Sequence, residues 1–413
     1  MRMTAAACAV ATALCAAPVM AQGAGQGTAQ GQGTISDGVV RIGVLTDISS
    51  WGRDNAGPGS VEAVKMALEE FGPTVAGSRI DLLVADHQEK PDLALEIARE
   101  WLDNGKVDAI VDVQNSAIAI AVHNLVREKN KVVLLTAPGS STITDRICSP
   151  NTVHFTYDTY ALAKVAGSEI VKGGGKSWFF VTADYAFGHQ LQQDATRFVQ
   201  EAGGTVKGSV RHPTGTFDFS SFLLQAQASQ ADVVAFANAG ADTDTALKQA
   251  NEFGLTEGGQ RMAALLMFIT DVHAVGLKGA QGAYMVTASY WNMTPETRAW
   301  SKRFHERTRT MPTMIQSGGY SAVMHYLKAV KATGSDDAQA VMAEMRRTPI
   351  DDIFVKNATL RADGRVVRDM YLARVKKPEE SKEPWDYLEI VKTVKGEDAY
   401  RPVSESQCPL LKG

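Results

Sequence analysis

The sequence predicts an α/β fold made of two Rossmann-like lobes, each with a parallel central sheet. Short apolar runs alternate with amphipathic stretches from residue 39 onward, and this alternating series occurs twice in tandem. The 413 residues are also more than one ordinary hydrophobic core can organise. Because alternating strands and helices form parallel sheets covered by helices on both faces, each series indicates one lobe.

The first series contains four predicted strands and three predicted helices. The strands are rich in valine, leucine and isoleucine, and the helices place apolar residues three or four positions apart. Pro91 marks the start of the second helix, because proline is favoured in the first helical turn. The predicted strands are 39–45, 79–85, 109–113 and 131–135, and the predicted helices are 61–71, 91–102 and 117–128.

The second series repeats this alternation with four helices and four strands. The helices are 162–171, 188–202, 219–227 and 244–253, and the strands are 177–182, 205–210, 233–237 and 262–268. Two further helices are predicted at 295–309 and 318–332. Near the C-terminus, 354–360 and 370–376 alternate like a hairpin around an Asp363-Gly364 turn.

The N-terminus predicts an export signal. Arg2 gives a positive start, residues 5–17 form an apolar run, and Ala21 closes a segment of the small residues that a signal peptidase needs. A membrane-spanning helix would need about 20 apolar residues, whereas this run is shorter and breaks at Pro18. We therefore expect a signal peptide at 1–21, a flexible Gly- and Gln-rich leader at 22–37, and a mature protein outside the cytoplasmic membrane.

The charge and the cysteine content of the mature chain argue against a nucleic-acid partner and for one disulfide. The net charge of -4 becomes -5 when the signal is removed with Arg2, so nothing indicates a nucleic-acid partner. Cys8 and Cys15 leave with the signal. The remaining pair, Cys148 and Cys408, predicts one disulfide in an oxidising compartment; two unpaired buried thiols are the alternative.

The loops that follow the predicted strands are the candidate site, because ligands of parallel α/β sheets bind beyond the carboxyl ends of the strands. Hydroxyls, glycines and aromatics dominate these loops, and paired catalytic groups are absent. The histidines show no ligand spacing, and no nucleotide fingerprint follows the first strand, so we expect no enzyme, cofactor or metal site. The candidate residues are Trp51, Asn115, Ser116, Gly139, Ser140, Ser141, Tyr185, Phe187 and Asn238.

The chain resembles the leucine/isoleucine/valine-binding branch of the type I periplasmic binding proteins over nearly all of the mature sequence. The resemblance lies in short motifs whose order and spacing match: Ile42-Gly43-Val44, Trp51-Gly52, Gly59, Ala137-Pro138-Gly139-Ser140-Ser141, Ala183-Asp184-Tyr185-Ala186-Phe187-Gly188, and Asp232-Val233-Val234 before Asn238. A second stretch, 148–160, which begins at Cys148 and ends at Tyr160, is similar to a sub-branch that binds aromatic carboxylic acids.

This resemblance implies the domain organisation and the partners. It implies two lobes joined by three crossings near residues 157, 289 and 353, as in the type I periplasmic binding fold. The lobes would comprise 38–157 with 290–352 and 158–289 with 353–395, followed by a tail at 396–413. The protein would be a monomer that works in the periplasm, captures a small carboxylate between its lobes and delivers it to ABC permease subunits.

The resemblance also implies roles for individual residues. Ser140 and Ser141 would grip the carboxylate of the ligand, although helix capping is the alternative for both. Trp51 and Tyr185 or Phe187 would contact its body, unless they are ordinary core aromatics. Where amino-acid binders hold the ligand ammonium with an acid, this chain has Met267 and Phe268, with Asp271 the nearest acid.

An apolar loop at that position favours a ligand without an ammonium group, because burying an unpaired ammonium is costly. We therefore expect an aromatic acid in preference to a branched-chain or other amino acid. Tyr160, from the sub-branch motif, joins the expected contacts. Two rival functions share the fold class: an exported α/β hydrolase with Ser140 as its nucleophile, and the ligand domain of a receptor.

Overall fold

The computed structural model describes residues 34–412, together with Met3, Ala6 and Ala7. The predicted signal peptide at 1–21, apart from those three residues, and the leader up to residue 33 lie outside the described part of the chain. Within it, two mixed and mostly parallel sheets are flanked by thirteen helices. The predicted α/β fold with two parallel central sheets is therefore confirmed.

The first sheet contains six strands in the order β2-β3-β1-β4-β5-β6. All neighbouring strands run parallel except β2, a short edge strand that pairs antiparallel with β3. The strands are β1 (Val39–Thr46), β2 (Thr74–Val75), β3 (Ser78–Asp86), β4 (Ala109–Asp112), β5 (Val132–Leu135) and β6 (Thr152–His154).

The second sheet contains seven strands in the order β15-β14-β11-β10-β9-β7-β8. The strands from β11 to β8 are parallel, whereas β14 and β15 add an antiparallel edge. Its strands are β7 (Ser177–Ala183), β8 (Thr205–His212), β9 (Val233–Ala237), β10 (Arg261–Ala264), β11 (Tyr284–Thr287), β14 (Met370–Val375) and β15 (Leu388–Val394); β12 (Thr359–Leu360) and β13 (Val366–Val367) pair separately.

Helices cover both sheets and carry most of the sequence between strands. The helices are α1 (Gly57–Phe71), α2 (Pro91–Asp103), α3 (Ser116–Glu128), α4 (Thr159–Lys172), α5 (Ala186–Glu201), α6 (Ser220–Ala228), α7 (Ala241–Glu252), α8 (Ile269–Val275), α9 (Leu277–Ala280), α10 (Pro295–Thr308), α11 (Met314–Thr333), α12 (Ala338–Arg347) and α13 (Gly396–Ala399). No described helix combines the length and hydrophobicity that crossing a membrane requires.

The core of the first sheet is built from two distant stretches of sequence. Ile42 and Val44 on β1 pack in one apolar cluster with Val323 and Leu327 on α11. Leu45 points to the opposite face, into a cluster with α2 and α3. Because β1 is buried on both faces, it reads in the sequence as a continuous apolar run.

Two buried arginines lie where the backbone passes between the sheets. The Arg365 guanidinium donates hydrogen bonds to the Tyr157 carbonyl and the Asp158 carboxylate, both at 3.3 Å. Arg368 donates to the Ala288 carbonyl at 2.7 Å and the Phe354 carbonyl at 3.0 Å. One short segment thus joins the connections after β6, after β11 and before β14. These carbonyls lie within one residue of the crossings predicted at 157, 289 and 353.

The C-terminal tail contacts elements beside both sheets. Cys408 forms the predicted disulfide with Cys148, in the loop before β6. The Asp145 carboxylate in the same loop accepts the Gln407 N–H at 2.6 Å. Three residues before the disulfide, Glu405 pairs with Arg197 on α5 at 2.9 Å.

Two of the predicted elements are wrong in detail. The predicted strand 262–268 ends at Ala264, because Phe268 caps α8 and its N–H donates to the Asp271 carboxylate at 2.8 Å. The Asp363-Gly364 turn joins only the two-residue strands β12 and β13. The strand predicted at 370–376 instead belongs to the second sheet, as β14.

Candidate ligand-binding site

A cavity of about 350 Å³ lies between loops at the carboxyl ends of the strands of both sheets. This volume is at the lower end of the range of roughly 300–1,000 Å³ that is usual for small-molecule sites. Aromatic, small apolar and neutral polar side chains line it, and no lining residue is charged. The lining residues are Trp51, Asn55, Gln114, Asn115, Ser116, Ala117, Ala137, Pro138, Gly139, Tyr157, Tyr185, Ala186, Phe187, Ala239, Leu266, Phe268 and Ile315.

The loop after β1 positions Trp51 at the rim of the cavity. The buried Asp47 carboxylate accepts hydrogen bonds from the N–H and hydroxyl of Ser50 at 2.9 and 2.6 Å, and from the Gly52 N–H at 2.8 Å. These bonds fix the backbone on either side of Trp51, which remains 54% exposed. Its ring contacts Gly240, beside the second sheet, where a Cβ would lie 3.2 Å from the indole.

The start of α3 supplies polar groups to the first-sheet wall. Asn115 has a positive φ of 75°, and its side-chain oxygen accepts the Ala117 N–H at 2.9 Å. The Ser116 hydroxyl oxygen accepts the Ser140 N–H at 3.1 Å, which leaves the hydroxyl hydrogen free to donate. The backbone N–H of Ser116 has no hydrogen-bond partner among the described residues.

Gly139 provides a close contact between the two sides of the cavity. A Cβ at this position would lie 2.9 Å from the Phe187 ring and 3.2 Å from the Tyr157 ring. The Gly139 carbonyl accepts the Thr159 N–H at 2.8 Å, and the Tyr157 hydroxyl donates to the Ala137 carbonyl at 2.5 Å. The absence of a side chain at Gly139 therefore lets two aromatic rings approach the backbone of the 136–139 turn.

The second-sheet wall is predominantly aromatic. Tyr185 and Phe187, at the start of α5, have ring centroids 5.8 Å apart. Phe268 meets Tyr157 edge to face at 6.2 Å. The Tyr185 hydroxyl makes no hydrogen bond within the described chain, and burial, followed by the nearby carboxyl groups of Asp242 and Glu89, raises its pKa. This wall thus offers flat apolar surfaces and one uncommitted hydroxyl.

Comparison with protein families identifies this architecture. The model of a family described as "Periplasmic binding protein" matches residues 39–382, which is most of the chain. The chain belongs to the periplasmic binding protein family. This confirms the resemblance predicted from the sequence motifs.

Two solved structures of periplasmic binding proteins are similar to this one over their full length. A periplasmic binding protein from Burkholderia mallei is 48% identical, with a TM-score of 0.86, and the match covers 90% of this chain and 99% of that one. A branched chain amino acid ABC transporter periplasmic ligand-binding protein from Burkholderia xenovorans is 44% identical, with a TM-score of 0.85 and coverages of 90% and 100%.

A third structure shares the fold at lower identity. It is a solute-binding protein of an ABC transporter from R. palustris in complex with benzoate, 19% identical, with a TM-score of 0.77 and coverages of 90% and 99%. The Burkholderia xenovorans protein is named as a component of an ABC transporter, and the family model describes periplasmic binding proteins rather than enzymes.

Seven of the twelve candidate residues lie on the cavity of this periplasmic binding protein. They come from five separate loops, beside both sheets, and the fold brings them together. They are Trp51, Asn115, Ser116, Gly139, Tyr185, Phe187 and Phe268.

Three other candidates are committed to structural contacts away from the cavity. Tyr160 is buried on α4, where its ring meets Phe198 edge to face at 4.8 Å and its hydroxyl donates to Glu405 at 3.3 Å. Asn238 is fully buried and accepts the Thr243 hydroxyl at 2.8 Å. Met267 packs into the outer core of the second sheet, because neighbouring residues in an extended segment point to opposite sides.

The two serines of the 139–141 turn stand behind the cavity wall. Ser140 orients Ser116 through its backbone N–H. The Ser141 hydroxyl oxygen accepts a hydrogen bond from the Thr159 hydroxyl at 3.2 Å. Ser141 is also the first residue of a helical turn that is only four residues long. The serine turn therefore reaches the cavity through its neighbours Gly139 and Ser116.

Asn55 and Ile315 also line the cavity, although no sequence motif singled them out. Asn55 follows the Trp51 loop, and its side-chain oxygen accepts the Thr270 hydroxyl from beside the second sheet at 2.6 Å. Ile315 lies in the first turn of α11, far along the chain from the other lining residues. No local motif marks either residue. Leu266, by contrast, faces the cavity because side chains alternate along the extended segment, and Met267 therefore points away from it.

The acid that follows the apolar loop does not line the cavity. Asp271, the nearest acid to the apolar loop, is buried and caps α8. Burial raises its pKa to about 7. Among the described residues, no group of three or more histidine, cysteine or acidic side chains could hold a metal ion.

Proposed function

We propose that this protein captures a small organic carboxylate, with an aromatic acid as the preferred ligand, and delivers it to an ABC permease. Export by residues 1–21 would place it in the periplasm, where it would act as a monomer. The ligand would bind in the cavity between the two sheets and be enclosed as the two lobes close.

The observation that carries this proposal is the convergence of aromatic side chains from both sides on one small uncharged cavity. Trp51 and Tyr157 approach from the first side, and Tyr185, Phe187 and Phe268 from the second. Aromatic pairs contribute about 0.5–1.5 kcal/mol beyond the burial of their area. A ring would therefore be preferred over an aliphatic chain of similar size by up to about tenfold.

The carboxylate of the ligand would lie against Ser116 and Gly139. Their backbone N–H groups have no partner among the described residues, and the Ser116 hydroxyl has its hydrogen free. The N-terminus of α3 adds a favourable dipole for an anion. Ser140 and Ser141 would support this end by holding Ser116 and the start of α4, with no basic side chain required.

The opposite wall supports a ligand without an ammonium group. Leu266 and Phe268 occupy the loop where an acidic partner would be expected, and no lining residue is an acid. An ammonium buried there would lack a direct partner, which is costly. The benzoate complex of the neighbour from R. palustris shows that this fold accommodates a ring acid.

Binding of a branched-chain amino acid is the second candidate. It is favoured by the name of the 44%-identical Burkholderia xenovorans protein, a branched chain amino acid transporter component. An aliphatic side chain could also pack against the apolar wall formed by Leu266 and Ile315.

Lobe closure would turn about the segment containing Arg365 and Arg368. These guanidinium groups bind backbone carbonyls of all three connections between the sheets, so they would act as the hinge core. On this proposal the lobes are 38–157 with 290–352 and 158–289 with 353–395.

A thermal-shift screen tests the proposed ligand class. Ligands that bind only the folded protein raise its melting temperature, and at equal concentrations the tighter ligand gives the larger shift. We expect benzoate, hydroxycinnamate and phenylpyruvate to raise it and aliphatic amino acids to have smaller effects. Larger shifts with leucine and isoleucine would favour the branched-chain candidate instead.

A further inference from the structure

The turn between β3 and α2 holds a carboxyl group directly behind the cavity wall. Gln88 and Glu89 both have positive φ angles, 51° and 55°, which residues other than glycine rarely adopt. The buried His87 ring accepts the Glu89 N–H at 3.1 Å, and the Asp86 carboxylate accepts the Gln88 N–H at 2.9 Å. This costly backbone conformation is therefore held in place, as is common near functional sites.

Only one side chain separates this carboxyl from the cavity. One Glu89 oxygen accepts the amide N–H of Asn115 at 2.8 Å, and Asn115 lines the cavity and caps α3. The other Glu89 oxygen is buried and has no hydrogen-bond partner among the described residues. Asn115 thus links Glu89 to the helix end proposed to hold the ligand carboxylate.

The groups around Glu89 disfavour its ionised form. Burial raises its pKa to about 7; the Asn115 amide opposes this, and the charges of Asp47 and Asp112 add to it. His87, in the same turn, has its pKa lowered by burial and does not supply a compensating cation. Across the cleft, the Tyr185 hydroxyl, whose pKa is raised by burial, is also neutral at pH 7.

We infer that Glu89 selects ligands by charge, so that a carboxylate ligand without an ammonium group binds together with one proton, which is taken from solvent onto the free Glu89 oxygen. The inference rests on the proposed function, because it assumes a carboxylate at Ser116 and Gly139. A zwitterionic amino acid has no net charge and would bind without this proton.

The sign of the pH dependence follows from the position of the acid. Below about pH 7, Glu89 is protonated and does not repel a ligand carboxylate. As the pH rises above this value, Glu89 ionises, and binding must either take up a proton or place two negative charges near each other. The affinity for the acid should therefore fall by up to about tenfold per pH unit, which is the limit for one linked proton.

Titration calorimetry at pH 6 and pH 8, in buffers with different ionisation enthalpies, measures both affinity and proton uptake. The probes are phenylpyruvate and phenylalanine, which differ in the ammonium group. The variants are Glu89→Gln, which has nearly the same shape but no charge, and Glu96→Gln as a matched control on the exposed face of α2.

For the wild type and Glu96→Gln, we expect phenylpyruvate to take up close to one proton at pH 8 and to bind about tenfold more weakly there than at pH 6. In Glu89→Gln, both effects should disappear. Unchanged proton uptake in Glu89→Gln, or none in the wild type, would overturn the inference.

The phenylalanine arm separates the two proposals. If phenylalanine binds better than phenylpyruvate and Glu89→Gln weakens it about tenfold, the preference for acids without an ammonium is wrong while charge selection by Glu89 stands. If neither probe binds, melting temperatures of the ligand-free proteins decide. An acid whose pKa is raised by folding destabilises the folded protein as the pH rises. The melting temperature of Glu89→Gln should therefore exceed that of the wild type by more at pH 8 than at pH 5. An equal difference at the two pH values would overturn the inference.

Discussion

Phe187 packs on Gly139 so closely that a Cβ at Gly139 would lie 2.9 Å from the ring. Phe187 lies in the first turn of α5, beside the second sheet, whereas Gly139 follows a strand of the first sheet. The contact between Trp51 and Gly240 runs in the opposite direction, from a first-sheet loop to a second-sheet loop. Each side of the cleft therefore contributes one aromatic ring and one glycine, and each ring packs against the glycine of the opposite side.

Substituting Gly139→Ala should impair closure of the cleft. The added Cβ would collide with Phe187 and Tyr157, so the closed state would lose part of its packing. We expect ligand affinity to fall at least about tenfold, with a smaller decrease in the radius of gyration on ligand addition, measured by small-angle scattering. Gly319→Ala is the control, because its Cβ would meet no atom closer than 3.8 Å.

Trp51→Ala should weaken binding with little effect on stability. The ring is 54% exposed and lines the cavity, so its loss removes ligand contact but little core packing. We expect about a tenfold increase in Kd for a ring acid, and a melting temperature close to that of the wild type. Phe217→Ala is the matched control, since Phe217 is 90% exposed and does not line the cavity. Equal effects of both substitutions on Kd would contradict a role for Trp51 in binding.

The Cys148–Cys408 disulfide should stabilise the exported protein. It closes a loop of 260 residues and ties the tail to the loop before β6. Replacing both cysteines by serine should lower the free energy of unfolding by about 2–5 kcal/mol, measured by denaturant titration. Mass spectrometry of the native, non-reduced protein should detect no alkylated thiols. Two freely alkylated cysteines, or unchanged stability in the double variant, would contradict this prediction.

Most of the fold could be predicted because its signals are local. Strands such as β1 and β9 are buried on both faces and therefore appear as apolar runs, and the helices between them have regular spacing. The errors occur where tertiary contacts override the local pattern. The segment after Ala264 has an apolar, strand-like sequence, but the Asp271 cap ends the strand and starts α8.

The candidate site could be predicted only in part, for geometric reasons. Residues that directly follow strands, such as Ser116 and Gly139, reach the cavity because parallel strands end at a common edge. Ile315 belongs to a helix that returns from a distant part of the chain, and Glu89 acts from behind Asn115. The direction of Tyr160, toward α5, depends on helix packing that the motif does not reveal.

Titration calorimetry with leucine, phenylalanine, phenylpyruvate and a hydroxycinnamate tests the central claim most directly, because it compares ring with chain and acid with amino acid in one assay. The account predicts saturable binding with one ligand per chain, tightest for the two ring acids, with both ligands recovered chemically unchanged. Tight binding of leucine together with no detectable binding of either ring acid would contradict it.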